Sequence, residues 1–340
     1  MGLLLIVGNI VGVVIAGRFI DASQPQTMYQ QSLWISYGMI MIILIVLMLV
    51  TIFTVRERAS TSTQLVALEE NSPRAARHAV FLAWFTRSML YTIVGTVVVA
   101  GVVWGLMAAW NALPITSGKI NGESQQVMLE IVVAVGLLRM FDFNPRRDPD
   151  FAWVFLTRLA MMMGIYTIQT FLQYYMRDVV GATHPELQTT KFVIVVSLTS
   201  LLSAVTAGWL SDRFGRKRIV YISGAFMALV GLVFVLFHSL PIVIAAGAIF
   251  GLGYGAYQSV DWALVADVLP SQRDYARDMG VWNISLALPQ IIAPVLGGPL
   301  IDAFTKSGRP VLGYQILFIM AIIFCLLGTV TIRYIKGVKR

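Results

Sequence analysis

Apolar runs of about 20 residues recur along the chain and constrain its fold more than any other feature. A helix of that length crosses the roughly 30 Å of hydrocarbon in a bilayer. The predicted spans lie near residues 3–20, 33–54, 88–112, 151–175, 192–210, 218–238, 241–266, 281–304 and 314–335, with a shorter candidate at 126–143. Charged residues make up only 12% of the chain, about half the share found in soluble domains. The sequence therefore predicts an all-α polytopic membrane protein.

The positive charges are distributed unequally between alternate loops. The chain holds 25 Lys and Arg against 17 Asp and Glu. If the loop after residue 54 is cytoplasmic, the inside segments hold sixteen of these cations and the outside loops hold five. This is the positive-inside asymmetry that orients helices during insertion. We therefore expect a multi-pass protein of the cell (inner or plasma) membrane with a cytoplasmic C-terminus, and no nucleic-acid partner.

The most specific stretch is GWLSDRFGRKR, residues 208–218, between two predicted spans. Gly208 would let neighbouring helices approach, and Gly215 would permit a tight turn. Asp212 can pair with a nearby arginine or with a helix N-terminus. The cations of the loop would anchor it at the anionic inner leaflet. They are Arg213, Arg216, Lys217 and Arg218. An ordinary basic loop explains these cations but not the aspartate and both glycines at their positions.

This stretch resembles the cytoplasmic loop signature of the major facilitator superfamily, G-x-L-x-D-R-x-G-R-[KR]. The resemblance implies a transporter of two six-helix halves that are structural repeats of each other. Residues 208–218 would join the second and third helices of the C-terminal half. We therefore expect residues 151–340 to form a C-terminal six-helix bundle.

A weak internal repeat supports that organisation. Residues 7–21, VGNIVGVVIAGRFID, share five identities with residues 288–302, LPQIIAPVLGGPLID. The second copy lies on the predicted fifth helix of the C-terminal half, so the first would be the fifth helix of the N-terminal half. Residues 1–54 would then be the last two helices of an N-terminal bundle. We expect a major facilitator fold that lacks its first four helices, which would be needed for function.

Residues 55–150 are too long for a simple linker between two halves. The first part is polar and suits a cytoplasmic surface segment, whereas 88–112 would leave the cytoplasm and 126–143 would return to it. Glu130, near the outer end of 126–143, is costly in lipid and would need a protein partner. We interpret this region as a central segment with an inserted helix pair. A re-entrant or surface-lying 126–143 stays open.

Polar side chains inside the spans are the candidate functional residues, because hydrocarbon penalises them. Three spans of the C-terminal half carry such residues along one helical face. The candidates are Arg158, Tyr166, Gln169 and Gln173 on the first span, Tyr254, Tyr257, Gln258 and Asp261 on the fourth, and Asn283 and Gln290 on the fifth. Amides and phenols both donate and accept hydrogen bonds, which suits a hydroxyl-rich ligand. Polar packing between helices is the alternative explanation.

Asp261 is the one carboxylate well inside a span of the C-terminal half, which makes it a candidate for proton coupling. A structural ion pair or a gate contact with Arg158 is the alternative. Asp267 and Arg273 lie nearer the inner surface and are expected to be ionic partners of the loop at 211–218. No Cys and His cluster has metal-ligand spacing. We expect no cofactor other than a coupling ion, H⁺ or Na⁺.

Two longer stretches, YQSVDWALVADVLP and VWNISLALPQIIAPVLGGPLID, look like the glycoside–pentoside–hexuronide and sucrose-transporter-like symporters. The resemblance implies ion-coupled alternating access for a small polar solute, a sugar or glycoside, bound near the midplane. A multidrug or small-solute exporter of the same superfamily is the alternative. In another class, a transport-inactive fragment or membrane interaction module stays open. An enzyme is not expected, because no catalytic constellation lies within the predicted spans.

Overall fold

The computed structural model describes residues 26–54, 87–113, 119–120, 122–141, 143–269 and 275–337, together with Gly8 and Gly12. Within these residues the regular structure is helical throughout. The helices are α1 Gln26–Thr54, α2 Arg87–Ala112, α3 Gly122–Met140, α4 Pro149–Asp178, α5 Pro185–Phe214, α6 Arg216–Leu236, α7 Leu240–Val268, α8 Tyr275–Lys306, α9 Pro310–Thr331 and a 3-10 turn at Ile332–Tyr334. The predicted span 3–20 lies outside the described residues, so the internal repeat stays a prediction.

Eight helices of the described part are long and apolar enough to cross a membrane. The ninth, α3, is 19 residues long and carries two glutamates and an arginine, and it is not among the eight. Several helices start earlier than the apolar runs indicated because a proline lies in the first turn, where its missing N–H is tolerated. The predicted all-α membrane architecture is confirmed.

Helices α4 to α9 pack into a six-helix bundle around one apolar core. Helix α7 lies between α5 and α6, and α9 packs on α4 and α6. At one end of the core, the rings of Tyr175, Phe234 and Phe318 lie with centroids 5.0 to 5.6 Å apart. The Tyr175 hydroxyl donates to the Phe234 carbonyl at 3.1 Å, so this buried phenol is satisfied. The aromatic cluster therefore joins α4, α6 and α9.

Helices α5 and α7 approach so closely that glycine is required on α7. A Cβ at Gly255 would lie 2.2 Å from the Ser200 carbonyl oxygen, and one at Gly251 would lie 2.4 Å from the Val196 carbonyl oxygen. The Ser200 hydroxyl donates across this contact to the Gly251 carbonyl at 3.0 Å. Small residues that let backbones meet are the usual basis of helix association in membranes. The sequence GLGYG at 251–255 is thus a helix-packing surface.

Helices α2 and α3 form a separate hairpin that packs on the bundle through α8. The Asn111 side chain closes the connection, since its amide donates to the Ile120 carbonyl at 2.8 Å and accepts the Ile120 N–H at 2.7 Å. Midway along the pair, Gly136 lies so close to Thr96 that a Cβ would meet its hydroxyl at 2.2 Å. That this hairpin is an insertion between two six-helix halves stays a prediction.

Helix α1 contacts no other helix of the described part. Most of its apolar side chains are exposed on every face rather than along one stripe. A helix that is apolar all round is stable only where something apolar covers it, and a bilayer meets that requirement. Its length of 29 residues is sufficient for a span.

We expect Gly255→Ala to destabilise the bundle, because the new methyl group would meet the fixed backbone at Ser200. Overpacking of this kind costs about 1–3 kcal/mol. The melting temperature of the purified chain in detergent should fall accordingly. The matched control is Gly208→Ala on α5, where a Cβ meets no described atom within 4 Å. Equal melting temperatures for the two variants would contradict the close α5–α7 contact.

Candidate functional site

The centre of the site is a buried ion pair between α4 and α7. The Arg158 Nε lies 3.2 Å from the Asp261 Oδ2, and the two side chains are 2% and 1% exposed. The contact is ionic rather than a well-aligned hydrogen bond. The Tyr257 hydroxyl, one turn before Asp261 on α7, donates to the Asp261 Oδ1 at 3.0 Å. Neither charge is left free to meet a ligand in this conformation.

Trp282 on α8 completes the surroundings of the arginine. The Arg158 guanidinium carbon lies 3.2 Å from the centroid of the Trp282 ring, a cation–π contact shielded from solvent. Trp262 in turn packs edge-on against Trp282, with ring centroids 4.5 Å apart. Helices α4, α7 and α8 are therefore held together by one charged group and its aromatic neighbours. Trp282 was not among the predicted residues. A tryptophan costs little free energy inside a membrane helix, so the sequence pattern does not single it out.

A second polar layer lies along the same helices and is less buried. The Gln290 amide of α8 donates to the Tyr166 hydroxyl of α4 at 3.0 Å. Within α7, the Gln258 amide donates to the Tyr254 hydroxyl at 2.9 Å. The structure therefore brings the stripes of α4 and α8 into direct contact. The stripes of α4 and α7 meet at the ion pair.

The remaining amides of the predicted stripes do not join this network. Gln169 and Gln173 on α4 and Asn283 on α8 are exposed, and the described residues give Gln173 and Asn283 no hydrogen bond. Their faces are ones that the six-helix bundle leaves uncovered. A polar side chain on an uncovered face of a membrane bundle needs a water-filled cavity or a further protein surface. These amides therefore mark the open side of the bundle.

A cleft opens between α4, α5 and α7, two to three helical turns from the ion pair along α4 and α7. Its walls are mainly apolar, with aromatic rings from Phe192, Phe250 and Tyr254. The polar lining comes from Gln169 and from hydroxyl side chains of α5. These are Thr189, Ser197 and Ser200. The Thr189 hydroxyl is buried and has no hydrogen-bond partner among the described residues, so it is available to a ligand. Sequence reasoning missed the α5 residues, because hydroxyls in spans are common.

The turn between α5 and α6 is tied to other helices at one end of the bundle. Gly215 ends α5 with φ at 91°, a left-handed conformation that favours glycine. Arg216 forms an ion pair with Asp267 and donates to the Ala263 carbonyl, both on α7. Lys217 donates to the Ile335 carbonyl beyond α9. The loop thus connects three helices, and Asp267 is its ionic partner.

Gly208 and Asp212 lack the predicted contacts among the described residues, and Arg213 has a contact that was not predicted. No described atom lies within 4 Å of a Cβ placed at Gly208, so among the described residues this glycine permits no close helix approach. Asp212 is exposed and has no ion pair within the described part of the chain. Arg213 lies over the Trp209 ring of its own helix at 4.0 Å. Arg273 lies outside the described residues, so its expected ionic role stays a prediction.

The C-terminal part of the chain matches a known protein family. The Major Facilitator Superfamily model matches residues 154–339, more than half of the chain. The chain belongs to the major facilitator superfamily. The six helices α4 to α9 are the part that this match covers, and the predicted major facilitator fold is confirmed, whereas the absence of its first four helices stays a prediction. No group of three or more His, Cys, Asp or Glu that could hold a metal lies in the described ranges.

Curated relatives in the superfamily match a similar length of sequence. A multidrug efflux pump, LfrA, of Mycolicibacterium smegmatis is 24% identical over 160 residues, which cover 46% of this chain and 32% of the relative. The multidrug resistance protein Stp of Mycobacterium tuberculosis is 29% identical over 157 residues, 43% of this chain and 28% of the relative. A triacylglyceride transporter of Mycolicibacterium hassiacum is 30% identical over 158 residues, 45% of this chain and 29% of the relative. These alignments span about a third of each relative.

The buried ion pair should behave as a unit in stability measurements. Asp261→Leu leaves Arg158 buried without a counter-charge, and such a loss costs about 3–5 kcal/mol. Arg158→Met should cost a similar amount. The double variant removes both charges and should be more stable than either single variant, as judged by melting temperature in detergent. If the losses of melting temperature in the two single variants simply add in the double variant, Arg158 and Asp261 do not stabilise the bundle as an ion pair.

Proposed function

We propose that this protein works in a secondary transporter of the superfamily that exports amphipathic small solutes by alternating access. The observation that carries the proposal is the cleft between α4, α5 and α7, whose aromatic walls bear only a few polar groups. Such a lining suits a ligand with a large apolar area and one or two hydrogen-bonding groups. The names of two of the relatives, multidrug efflux pump and multidrug resistance protein, agree with this class of solute.

A sugar or glycoside symporter is the second candidate. The exposed amides Gln169, Gln173 and Asn283 favour it, together with the hydrogen-bonded pair of Gln290 and Tyr166. A sugar presents hydroxyls on every side and needs many polar partners. The cleft offers only a few such partners among its mainly apolar walls, which is why we place the exporter first. The relatives named above are not described as sugar transporters.

We further propose that Asp261 couples transport to an ion gradient, with H⁺ as the first candidate and Na⁺ as the second. In the present conformation Arg158 neutralises its carboxylate. A proton could take the place of the arginine when α4 and α7 separate, because a carboxylate that loses its counter-charge in an apolar interior needs neutralisation. The Tyr257 hydroxyl would remain as a hydrogen-bonding partner of the neutral acid. Arg158 and a proton would thus be alternative partners of the Asp261 carboxylate.

Transport by everted membrane vesicles that contain the protein separates the two candidates. With the lumen acidified, everted vesicles should accumulate the neutral amphipathic drug chloramphenicol in exchange for protons. Right-side-out vesicles in an acidic medium, in which a symporter would accumulate sugar, should not accumulate sucrose. Gln169→Ala should raise the apparent KM for the drug by about 2- to 10-fold, the worth of one hydrogen bond. Gln173→Ala is the matched control, because it lies on the same helix, is exposed and does not line the cleft.

Three outcomes would contradict the proposal. Sucrose accumulation that both glutamine variants reduce would favour the symporter. Accumulation of neither solute would leave the interaction module as the better explanation. Chloramphenicol uptake that persists after the proton and sodium gradients are collapsed would exclude ion coupling through Asp261.

The orientation in the membrane is also a proposal. We propose that the end of the bundle with the α5–α6 turn faces the cytoplasm of a cell membrane, and that the C-terminus lies on the same side. Exposed cations cluster at this end, as the positive-inside rule requires. They are Arg146, Arg147, Arg213, Arg218, Arg333 and Lys336, against Arg177, Lys191, Lys306 and Arg309 at the opposite end.

A cysteine at position 218 tests this orientation in a Cys325→Ser background. Arg218→Cys is exposed on the α5–α6 side and should resist a membrane-impermeant thiol reagent added to intact cells. Ser307→Cys lies between α8 and α9 at the opposite end, is exposed and should react. Gel-shift labelling before and after lysis measures both. Labelling of residue 218 but not residue 307 in intact cells would invert the orientation.

A further inference from the structure

The α2–α3 hairpin meets the six-helix bundle along a seam between α3 and α8. Among the described helices, α3 is the one helix of the hairpin that contacts the bundle, and α8 is its partner there. At one end of the seam the Phe141 ring packs on Gly280, where a Cβ would lie 3.3 Å from the ring. Beyond that contact a groove of about 250 Å³ lies between the two helices. Protein interiors are close-packed and contain few voids of this size, so the seam is incomplete without an occupant.

The walls of this groove are apolar along its length. They are Leu129, Val133 and Leu137 on α3 and Ile284, Leu288 and Ile291 on α8. The two polar side chains at its edge are turned towards each other, because the Gln126 amide donates to the Glu130 Oε1 at 2.9 Å and the Glu130 Oε2 is enclosed. A buried water needs about two to four polar partners, which the described walls do not offer. The occupant of the groove must therefore be apolar.

The groove lies at the depth of the membrane interior. Helix α8 is long and apolar enough to cross a membrane, and Ile284 and Ile291 lie more than two turns from either end of it. The groove therefore extends roughly 10 Å along a spanning helix, at 1.5 Å per residue. Such a helix runs in the same general direction as the acyl chains of the surrounding lipid. A narrow apolar groove in this direction suits a hydrocarbon chain.

Arg277 adds a positive charge beyond the end of the groove that Phe141 closes. It precedes Ile284 by seven residues, so it lies on the same face of α8, about 10 Å nearer the α5–α6 turn. Its side chain is 39% exposed, and its Nε pairs with the Asp278 Oδ1 at 3.3 Å. A guanidinium has five N–H donors, so it can hold a phosphate oxygen as well as this carboxylate. Basic side chains between spanning helices are a usual contact for anionic lipid headgroups.

We propose that the groove between α3 and α8 binds one acyl chain of an anionic phospholipid whose phosphate contacts Arg277. The lipid belongs to the leaflet on the side of the α5–α6 turn, and its chain enters from the bilayer, since Phe141 closes the seam at Gly280. The chain packs against Val133 and Ile284 and supplies the apolar contacts that the seam lacks. It thereby attaches the hairpin to the bundle. The site is independent of the proposed export function and distinct from the cleft between α4, α5 and α7.

Two competing occupants fit the groove less well. A volume of about 250 Å³ spread over roughly 10 Å of length is only a few ångströms wide, whereas a helix of a second copy is about 10–12 Å across with its side chains. A zwitterionic phospholipid fills the apolar walls equally well. It carries its own cation beside the phosphate, however, so Arg277 discriminates against it.

The test is photo-cross-linking of the 340-residue chain in phosphatidylcholine nanodiscs that contain a trace of phosphatidylglycerol with a diazirine in its acyl chain. Mass spectrometry gives the labelling of the α3 and α8 groove peptides relative to α1, whose exposed faces report ordinary contact with the bilayer. This ratio should exceed one. It should also be about fivefold higher than with diazirine-tailed phosphatidylcholine, the worth of one cation near an anionic lipid.

Arg277→Gln tests the contact with the headgroup. It removes the charge, so the ratio for phosphatidylglycerol should fall to the ratio for phosphatidylcholine, whereas Arg277→Lys should retain the preference. The matched control is Arg139→Gln at the same end of α3. Arg139 is nine residues from Glu130, which places it on the opposite face of α3, so its ratio should stay within twofold of the parent. Equal losses in Arg277→Gln and Arg139→Gln would show attraction by net charge alone and would overturn the assignment of the headgroup.

Ala287→Trp tests the groove itself, because it fills the space from the α8 side. It should abolish the excess labelling of the groove peptides by both lipids. Leu296→Trp, at an exposed position on the opposite face of α8, should leave the labelling unchanged. Melting temperatures show whether each variant is folded. Excess labelling that persists in Ala287→Trp, or a parent that is labelled no more in the groove than on α1, would overturn the site. Cross-links between α3 of one molecule and α8 of another would overturn it in favour of a second copy.

Discussion

The contact between Arg158 and Asp261 determines how the rest of the site is arranged. Two opposite charges are enclosed in an apolar bundle at 3.2 Å, and neither is stable there without the other. The pair fixes the rotation of α4 against α7, and Trp282 brings α8 to the same point. Gln169 lies three turns beyond Arg158 on α4, and Tyr254 lies two turns before Asp261 on α7. Both residues line the cleft.

The α5–α7 contact sets the shape of the cleft in a different way. Gly251 and Gly255 bring α7 onto the backbone of α5, whereas the neighbouring residues Phe250 and Tyr254 project into the cleft. Small and large side chains thus occupy adjacent faces of one helix. The face of glycines supplies rigidity, and the face of aromatics supplies a surface for a ligand. In the proposed function, α7 would therefore combine helix packing and ligand recognition on adjacent faces.

Much of this could be predicted from the sequence, because hydrocarbon penalises polar groups strongly enough to mark them. Length and apolarity located the helices, and the spacing of Tyr257 and Asp261 placed both on one face of α7, where the structure shows them hydrogen-bonded. The same reasoning could not separate buried from exposed members of a stripe. Arg158 is enclosed whereas Gln173 is exposed, and that difference depends on which helices approach each turn of α4.

Other features lay beyond sequence reasoning for identifiable physical reasons. Trp282 and the hydroxyls of α5 cost little in a membrane helix, so no pattern marked them as part of the site. Gly208 was expected to serve helix packing, but the described close contacts between α5 and α7 use Gly251 and Gly255 instead. A glycine in a motif can have several roles, and only the positions of neighbouring atoms decide between them. Glu130 was expected to need a partner, and its Oε1 accepts a hydrogen bond from the Gln126 amide at 2.9 Å.

The two ends of the six-helix bundle meet in space. The Asp150 carboxylate in the first turn of α4 accepts the N–H groups of Lys336 and Gly337 beyond α9, at 2.8 and 2.7 Å. Lys217 holds the neighbouring Ile335 carbonyl from the α5–α6 turn. The start of the first helix of the bundle and the segment after its last helix are therefore in contact. A short peptide could join residue 337 to residue 150, and new termini could then be opened in the loop between α6 and α7 without removing a helix from the core. The packing of this bundle therefore does not depend on which of its helices comes first in the sequence.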